Sequence, residues 1–382
     1  MMNELHIDKT HWKKYRFDEM VQNIAERVEP SQTDLDVYVG LEHIDPDCLH
    51  LSRHGHPSDV EGTKLRFYKG DIIFGRRRAY QRKTALATTD GICSAHAMVV
   101  RAKENVVDPM FLPFLFHSKS FIDMAITISV GGLSPTINWK DIAKQEFLLP
   151  PKAEQKRLAE LLWAADEVVE KEKRVECCIS SFISRFIGNK YQALSKDCVT
   201  LGDLCISNPS YGANSPACDY DGTTRYVRIT DIDNQGCLLD DEIKSTNNID
   251  TDKYLLEDGD LLIARTATPG KSFLYDKQYG NCVYAGYLIR FKLNTSLVLP
   301  KYVFYYTLSS NYWQWINSTI KTGTVSNINA KEYSSLLIPF CSIEKQEEMV
   351  KELEEIFKIK KQLLIILNNS QQIKQELINK IF

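Results

Sequence analysis

The densest group of positively charged side chains in this sequence lies in one short segment, residues 76–83. It directly follows the apolar run 72–74, which is typical of a strand, and Gly75. Guanidinium groups at a strand end, with an aromatic ring between them, suit phosphate contact and bidentate hydrogen bonding to guanine. A solvated surface loop is the alternative. The candidate contact residues are Arg76, Arg77, Arg78, Tyr80, Arg82 and Lys83.

A second set of candidates lies on two glycine-containing segments, 129–140 and 320–331. Each carries short hydrogen-bonding side chains that could hold phosphates or base edges. A turn that caps a helix and closes a domain is an equally good interpretation. The candidates are Ser134, Thr136, Asn138 and Lys140 in the first segment, and Lys321, Thr322, Thr324, Ser326 and Asn327 in the second.

These groups belong to a unit that occurs twice in the chain. Gly70, Cys93 and Arg101 recur 189 residues later as Gly259, Cys282 and Arg290, and Gln155 recurs as Gln346, 191 residues later. A period this long indicates a duplicated domain rather than a solenoid. The second copy carries different polar groups where the first has its basic cluster. We therefore expect the two copies to contact two nucleic-acid half-sites of different sequence. Its candidates there are Arg265, Thr266 and Lys271.

Patterns that would indicate catalysis, a nucleotide or a metal are weak. The segment Pro269-Gly270-Lys271-Ser272 resembles the end of a phosphate-binding loop, but Arg265 stands where that motif requires its first glycine. A group of one cysteine and three histidines has no standard zinc spacing: Cys48, His50, His54 and His56. We therefore expect no catalytic residues, no metal and no cofactor.

Two long heptad patterns follow the two copies. In the first, Leu158, Ala165, Glu172, Ile179 and Phe186 alternate with Leu161, Val168, Val175 and Phe182. In the second, Met349, Ile356, Leu363, Ser370 and Leu377 alternate with Glu352, Ile359, Ile366 and Ile373. Four or more heptads predict a coiled coil. Packing of each helix on its own domain is the alternative.

Composition limits the class of protein. The sequence has 382 residues, 43% of them hydrophobic, and a formal net charge of −3, which argues against nucleic-acid binding through bulk positive charge alone. It shows no signal-peptide pattern and no apolar run of membrane-spanning length. Ten cysteines without an export signal predict reduced thiols and a cytoplasmic location.

The predicted fold is of the α/β (α+β) class, with two similar domains separated by two long helices. Helices of equal length can bury one another as an antiparallel coiled coil, which would make the molecule pseudo-twofold symmetric. The predicted boundaries are 1–151 for the first domain, 152–190 for the first spacer helix, 191–342 for the second domain and 343–382 for the second spacer helix.

Over essentially its whole length the chain resembles the specificity subunits of type I restriction-modification systems. The resemblance rests on segments such as GDIIFGRRRAYQRK and GGLSPTINWKDIAKQEFLLPPKAEQKRLAEL in the first copy, and EDGDLLIART in the second. The second copy departs from the family pattern at Cys341-Ser342, where prolines are common.

The resemblance implies two target-recognition domains, each reading one part of a bipartite site in double-stranded DNA. It also implies helices that space the domains and dock methyltransferase (modification) subunits, with restriction subunits as further candidate partners. The chain itself would not be an enzyme, although the complex would have DNA adenine methyltransferase and endonuclease activity. Two alternatives are a fused restriction or methylation enzyme and a coiled-coil scaffold without a DNA role.

Overall fold

A computed structural model describes residues 7–194, 196–247, 249–320 and 327–382. The chain divides into two compact units, Met1–Lys173 with Ile365–Phe382 (unit 1) and Arg174–Leu364 (unit 2). Within the described ranges, no helix is long and apolar enough to cross a membrane.

The described part of unit 1 contains ten short strands and four short α-helices. The strands are β1 Lys13–Arg16, β2 Val21–Ile24, β3 Arg27–Val28, β4 Tyr38–Val39, β5 Lys64–Phe67, β6 Ile72–Phe74, β7 Thr84–Leu86, β8 Gly91–Cys93, β9 Met98–Ala102 and β10 Glu146–Leu149. The helices are α1 Phe17–Met20, α2 Leu112–Leu115, α3 Lys119–Thr127 and α4 Trp139–Ile142.

One antiparallel sheet has the order β2-β9-β6-β7, and a second has the order β3-β5-β8-β4, in which β4 and β8 are parallel. Strand β6 has two buried faces, as its unbroken apolar sequence predicts. Ile72 and Phe74 point into a core rich in phenylalanine, whereas Ile73 packs into a smaller core on the other face. The strand that leads into the basic cluster is therefore anchored on both sides.

Unit 2 repeats the first of these sheets but not the second. Its strands are β11 Cys198–Thr200, β12 Ser210–Tyr211, β13 Ala217–Asp219, β14 Arg225–Val227, β15 Lys244–Thr246, β16 Leu261–Ala264, β17 Ser272–Leu274, β18 Cys282–Tyr284, β19 Leu288–Phe291 and β20 Leu337–Pro339. Its short helices are α6 Thr251–Tyr254, α7 Pro300–Thr307, α8 Ser310–Thr319 and α9 Ala330–Ser334. The main sheet, β12-β19-β16-β17, matches β2-β9-β6-β7 of unit 1, whereas two two-stranded sheets, β13-β15 and β14-β18, replace the second sheet of unit 1.

The duplication extends to individual buried contacts. Gln155 bonds the amide of Asp108 and the carbonyl of Pro150, and Gln346 bonds the amide of Leu299 and the carbonyl of Cys341. Both glutamines are almost completely buried, with 1% and 0% of their surface exposed. Since a buried amide must find partners, each glutamine ties the start of a long helix to its own unit.

Those long helices are α5, Lys152–Gln192, and α10, Ile343–Ile381. In unit 1 the two helices are antiparallel, because Asp166 pairs with Lys374 while Glu172, further along α5, bonds the earlier residue Ser370. In unit 2 the pairs are Glu176 with Lys360 and Lys190 with Glu352, in the same sense. The two long helices and their antiparallel pairing are confirmed within each unit.

Each predicted seam has two rows, of which the one that starts at Leu158 or Met349 is buried or half-buried, whereas the other row is displaced by one residue. Leu161, Val168, Val175 and Phe182 are exposed, with accessible fractions of 42–56%, whereas the buried row is Leu162, Val169 and Ile183. On α10 the predicted row of Ile359, Ile366 and Ile373 is likewise exposed, and Leu353, Lys360, Leu367 and Lys374 are buried. Two of the buried positions are lysines, and an unpaired buried charge is destabilising. Pairing with carboxylates on α5 makes their burial possible.

Candidate nucleic-acid interface

The basic cluster of unit 1 lies on a closed loop, residues 75–83, between β6 and β7. The amide of Gly75 donates to the carbonyl of Lys83 at 2.8 Å, which pins the base of the loop. The amide of Arg78 donates to the carbonyl of Pro135 at 2.7 Å, so the loop also rests on the second candidate segment. Arg78 and Arg82 have φ values of 58° and 55°, a left-handed conformation that is strained for residues other than glycine. The structure thus brings the two predicted groups of unit 1 together.

Two guanidinium groups converge on one hydroxyl. Arg77 and Arg78 each donate from Nη2 to Oγ of Ser134, at 3.2 and 3.1 Å, and Nη1 of Arg77 lies 3.1 Å from Nε2 of His96. Burial and the positive charges of Arg77 and Arg76 lower the pKa of His96, which favours its neutral form. In the part of the chain that the structure describes, no carboxylate lies within 4.0 Å of Arg76, Arg77 or Arg78. The positive charge is therefore available to an external anion.

The other basic residues of this loop face different surroundings. Arg82 donates from Nε to Oδ1 of Asp47 at 2.5 Å and from Nη2 to the carbonyl of His117 at 3.0 Å. Lys83 donates from Nζ to the carbonyl of Leu41 at 2.6 Å. Both side chains hold the unit together, whereas Tyr80 is half exposed at the loop surface.

The remaining candidates of unit 1 lie on the supporting segment. Thr136 forms backbone bridges with Arg77 and Val130, and Asn138 immediately precedes α4, where its Nδ2 donates to Asp141 at 3.2 Å. These contacts agree with the alternative interpretation of a domain-closing turn. Lys140 is exposed in the first turn of α4.

Unit 2 builds an equivalent loop, residues 264–271, with other side chains. Thr266 bridges to Asn327 as Arg77 bridges to Thr136, and the amide of Ile328 donates to the carbonyl of Arg265 at 2.9 Å. Ala267, the counterpart of Arg78, has the same left-handed backbone with φ 60°. Lys271 closes the loop through its carbonyl, which accepts from the amide of Ala264 at 2.8 Å. The candidates Lys321, Thr322, Thr324 and Ser326 lie outside the described residues.

Arg265 is held differently from Arg76, its counterpart in unit 1. Its Nε donates to Oδ1 of Asn327 at 3.1 Å, and its guanidinium carbon lies 4.9 Å from the ring centroid of Tyr211. Sequence reasoning missed Tyr211 and His96 as members of these surfaces. No local pattern marks either residue, because sheet pairing and loop closure place them beside the arginines from distant positions in the chain.

Comparisons with known proteins agree with this architecture. A model of the type I restriction modification DNA specificity domain matches residues 58–176 and 196–369. The chain is 28% identical over 167 residues to the type I restriction enzyme EcoDI specificity subunit of Escherichia coli. That alignment covers 42% of this chain and 37% of the relative's length.

Two solved structures share the fold. The first, from a study of complex assembly and conformational transition in the type I R-M system, is 20% identical, covers 97% of both chains and has a TM-score of 0.59. The second is the S subunit of a type I restriction-modification system from M. genitalium, 14% identical over 100% of this chain and 99% of that one, with a TM-score of 0.54. Since the family model matches both copies of the repeat and most of the 382 residues, the chain belongs to the type I restriction-modification DNA specificity family.

Proposed function

We propose that this chain is the sequence-specific DNA-recognition subunit of a type I restriction-modification complex. Each unit reads one part of a bipartite site in double-stranded DNA. The observation that carries the proposal is the pair of equivalent closed loops, which share a backbone frame but present different polar groups. A shared frame with different side chains is what two half-sites of different sequence require, because base edges are distinguished by their donor and acceptor patterns.

In this proposal the direct contacts come from the two loops and their supporting segments. Arg77, Arg78 and Tyr80 serve the first half-site, with Ser134 aligning the two guanidinium groups. Arg265, Thr266 and Asn327 serve the second. The strained left-handed residues in both loops support a functional role, since such strain concentrates at binding sites.

The long helices dock the methyltransferase subunits. Their exposed apolar rows support this part of the proposal: four side chains on α5 and three on α10, each row repeating every seven residues and each side chain at least 42% exposed. Exposed apolar side chains that repeat at helical spacing are typical of a surface that another helix covers. The occupant we propose is a helix of the methyltransferase subunit. The rows are Leu161, Val168, Val175 and Phe182, and Ile359, Ile366 and Ile373.

The chain itself does not catalyse methyl transfer. The methyltransferase subunits methylate adenine, restriction subunits join to cleave DNA, and the complex acts on cytoplasmic DNA. The two long helices set the length of unread DNA between the half-sites.

One experiment distinguishes this proposal from the fused-enzyme and scaffold alternatives. The purified chain is incubated with DNA, magnesium and S-adenosylmethionine, first alone and then with the methyltransferase subunit of its system. We expect methylation only in the mixture, at a bipartite motif. Methyl transfer by the chain alone supports the enzyme alternative, and a mixture whose DNA binding is independent of this chain supports the scaffold alternative.

A further inference from the structure

The side chain of Arg265 is fixed at several points before any ligand binds. Its backbone amide donates to the carbonyl of Tyr287 at 3.0 Å, and its Nε donates to Asn327. Its guanidinium carbon lies 4.9 Å from the centroid of the Tyr211 ring, and the hydroxyl of Tyr211 accepts from the amide of Ala330 at 3.2 Å. The guanidinium is thus anchored between Asn327 and a ring that is itself tied to the start of α9.

These contacts leave one part of the guanidinium unused. Among the residues that the structure describes, neither Nη1 nor Nη2 of Arg265 has a hydrogen-bond partner, and no carboxylate lies within 4.0 Å. The group that occupies Nε is a neutral amide, so the positive charge is not neutralised. Two parallel N–H donors on an anchored guanidinium match the N7 and O6 acceptors that guanine presents in the major groove.

The counterpart in unit 1 lacks this property. Arg76 stands 189 residues before Arg265, but its Nη2 donates to the carbonyl of Ala95 at 3.1 Å. One arm of its fork is therefore already engaged with the protein. The free, oriented fork is a feature of unit 2.

We propose that Arg265 reads one guanine in the half-site of unit 2, through Nη1 and Nη2. This inference rests on the proposed function and assigns a base to one of its residues. An anchored guanidinium favours a base edge over a phosphate, because a phosphate accepts hydrogen bonds from many directions whereas guanine N7 and O6 accept in the plane of the base.

The test is a selection from random DNA duplexes by the chain assembled with its methyltransferase subunit. In the Arg265→Gln variant the amide offers one donor and one acceptor, which pair with adenine N6 and N7. We expect one guanine of the second block to become adenine, with the first block and the spacing unchanged. Arg265→Lys should lose roughly 5- to 150-fold of the discrimination at that position, since an ammonium group lacks the planar fork.

The matched control is Lys277→Gln, an exposed cation of unit 2 that lies beyond the far end of β17 from the loop. It should leave both blocks unchanged. Retention of the first block by each variant shows that the chain is folded and assembled.

Three results would overturn the inference or its basis. If the wild-type complex selects no bipartite motif, the proposed function itself fails. If it does, but Arg265→Gln retains the wild-type second block, Arg265 does not read a base. If Arg265→Gln weakens binding to all sequences equally and lowers the salt dependence, Arg265 contacts a phosphate instead.

Discussion

Arg77 and Arg78 place two positive charges around the single hydroxyl of Ser134. Neighbouring like charges repel one another, and no described carboxylate within 4.0 Å offsets that repulsion. An arrangement of this kind is stabilised by an external polyanion, which releases counterions when it binds. If these arginines contact DNA as proposed, binding relieves their mutual repulsion.

We expect Arg77→Ala and Arg78→Ala each to weaken DNA binding. A lost base contact should reduce the binding free energy by about 1–3 kcal/mol at one base position. A lost phosphate contact should weaken binding to all sequences. It should also reduce the salt slope, which is the slope of the logarithm of the binding constant against the logarithm of the salt concentration, by about one. Binding isotherms at several salt concentrations separate the two results. Lys69→Ala, an exposed cation of the same unit, is the control.

Arg82→Ala provides a contrast within the same loop. Because Arg82 bonds Asp47 and the carbonyl of His117, its loss should lower the free energy of unfolding of unit 1 by about 1–3 kcal/mol. The salt dependence of DNA binding by the folded protein should not change. Unchanged stability together with a reduced salt slope would move Arg82 into the DNA-contact group.

At the scale of elements, the long helices show where sequence reasoning succeeds and where it fails. Their existence follows from the heptad patterns. The choice of buried face does not, because adjacent apolar pairs such as Leu161 with Leu162 and Val168 with Val169 allow two seams one residue apart. Tertiary contacts decide between them, since Asp166 and Lys374 can be buried only as partners.

Those adjacent pairs make a matched experiment. Leu162→Gln with Val169→Gln should destabilise unit 1 by several kcal/mol, because both side chains are fully buried. Leu161→Gln with Val168→Gln should leave stability nearly unchanged but reduce co-purification of the methyltransferase subunit. Urea unfolding and pull-down assays measure the two effects. Normal methyltransferase binding by the second variant would contradict the docking proposal.

The contact between His50 and Asp166 should make the free energy of unfolding of unit 1 depend on pH. The hydrogen bond to Asp166, 2.6 Å from Nε2 of His50, raises the pKa of His50 above its ordinary value of 6.5 despite partial burial. Burial alone would raise the pKa of Asp166, but the hydrogen bond from His50 and the charge of Lys374 outweigh it, and the pKa lies below 3.8. His50 and Asp166 are therefore both charged at pH values between the lowered pKa of Asp166 and the raised pKa of His50.

A histidine whose pKa is raised by folding contributes stability that is fully present below pH 6.5 and is lost as the pH rises through its folded-state pKa. We expect the wild type to have a higher free energy of unfolding than His50→Gln at pH 6. This difference should be smaller at pH 9. Subtracting the value of the variant from that of the wild type at each pH cancels the contributions of other titrating groups. One of these is His117, because burial lowers the pKa of His117 to about 4. An equal difference at both pH values would mean that the charge of His50 does not contribute.

For the whole molecule, the sequence repeat predicted the duplicated fold because the repeated residues make the same contacts twice. Asp71 pairs with Arg101 and Asp260 with Arg290, and the two glutamines hold equivalent helix starts. The repeat could not predict that Arg82 and Lys83 bond other groups of unit 1 or that Tyr211 supports Arg265. Such details depend on which distant segment closes each loop, and a single sequence does not encode that in any local pattern.

The spacer proposal predicts that the length of the helices sets the unread gap. Deleting one heptad from each, residues 173–179 and 360–366, removes Glu176 together with its partner Lys360 and retains the pairs Asp166–Lys374 and Lys190–Glu352. Seven residues are ~10 Å of helix, or about three base pairs at ~3.4 Å each. The deleted protein should select a shorter gap or lose tight binding, since three pairs also rotate the duplex by roughly 100°. A folded variant that keeps the original gap would show that the helices do not set it.

The central claim is that two units with one backbone frame read two different DNA sequences. The most direct measurement is selection from a fully random duplex library by the chain with its methyltransferase subunit, followed by sequencing of the bound fraction. We expect two short defined blocks of unlike sequence, separated by a gap of constant length and no sequence preference. A single continuous block, two identical blocks, or no enriched sequence would contradict the claim.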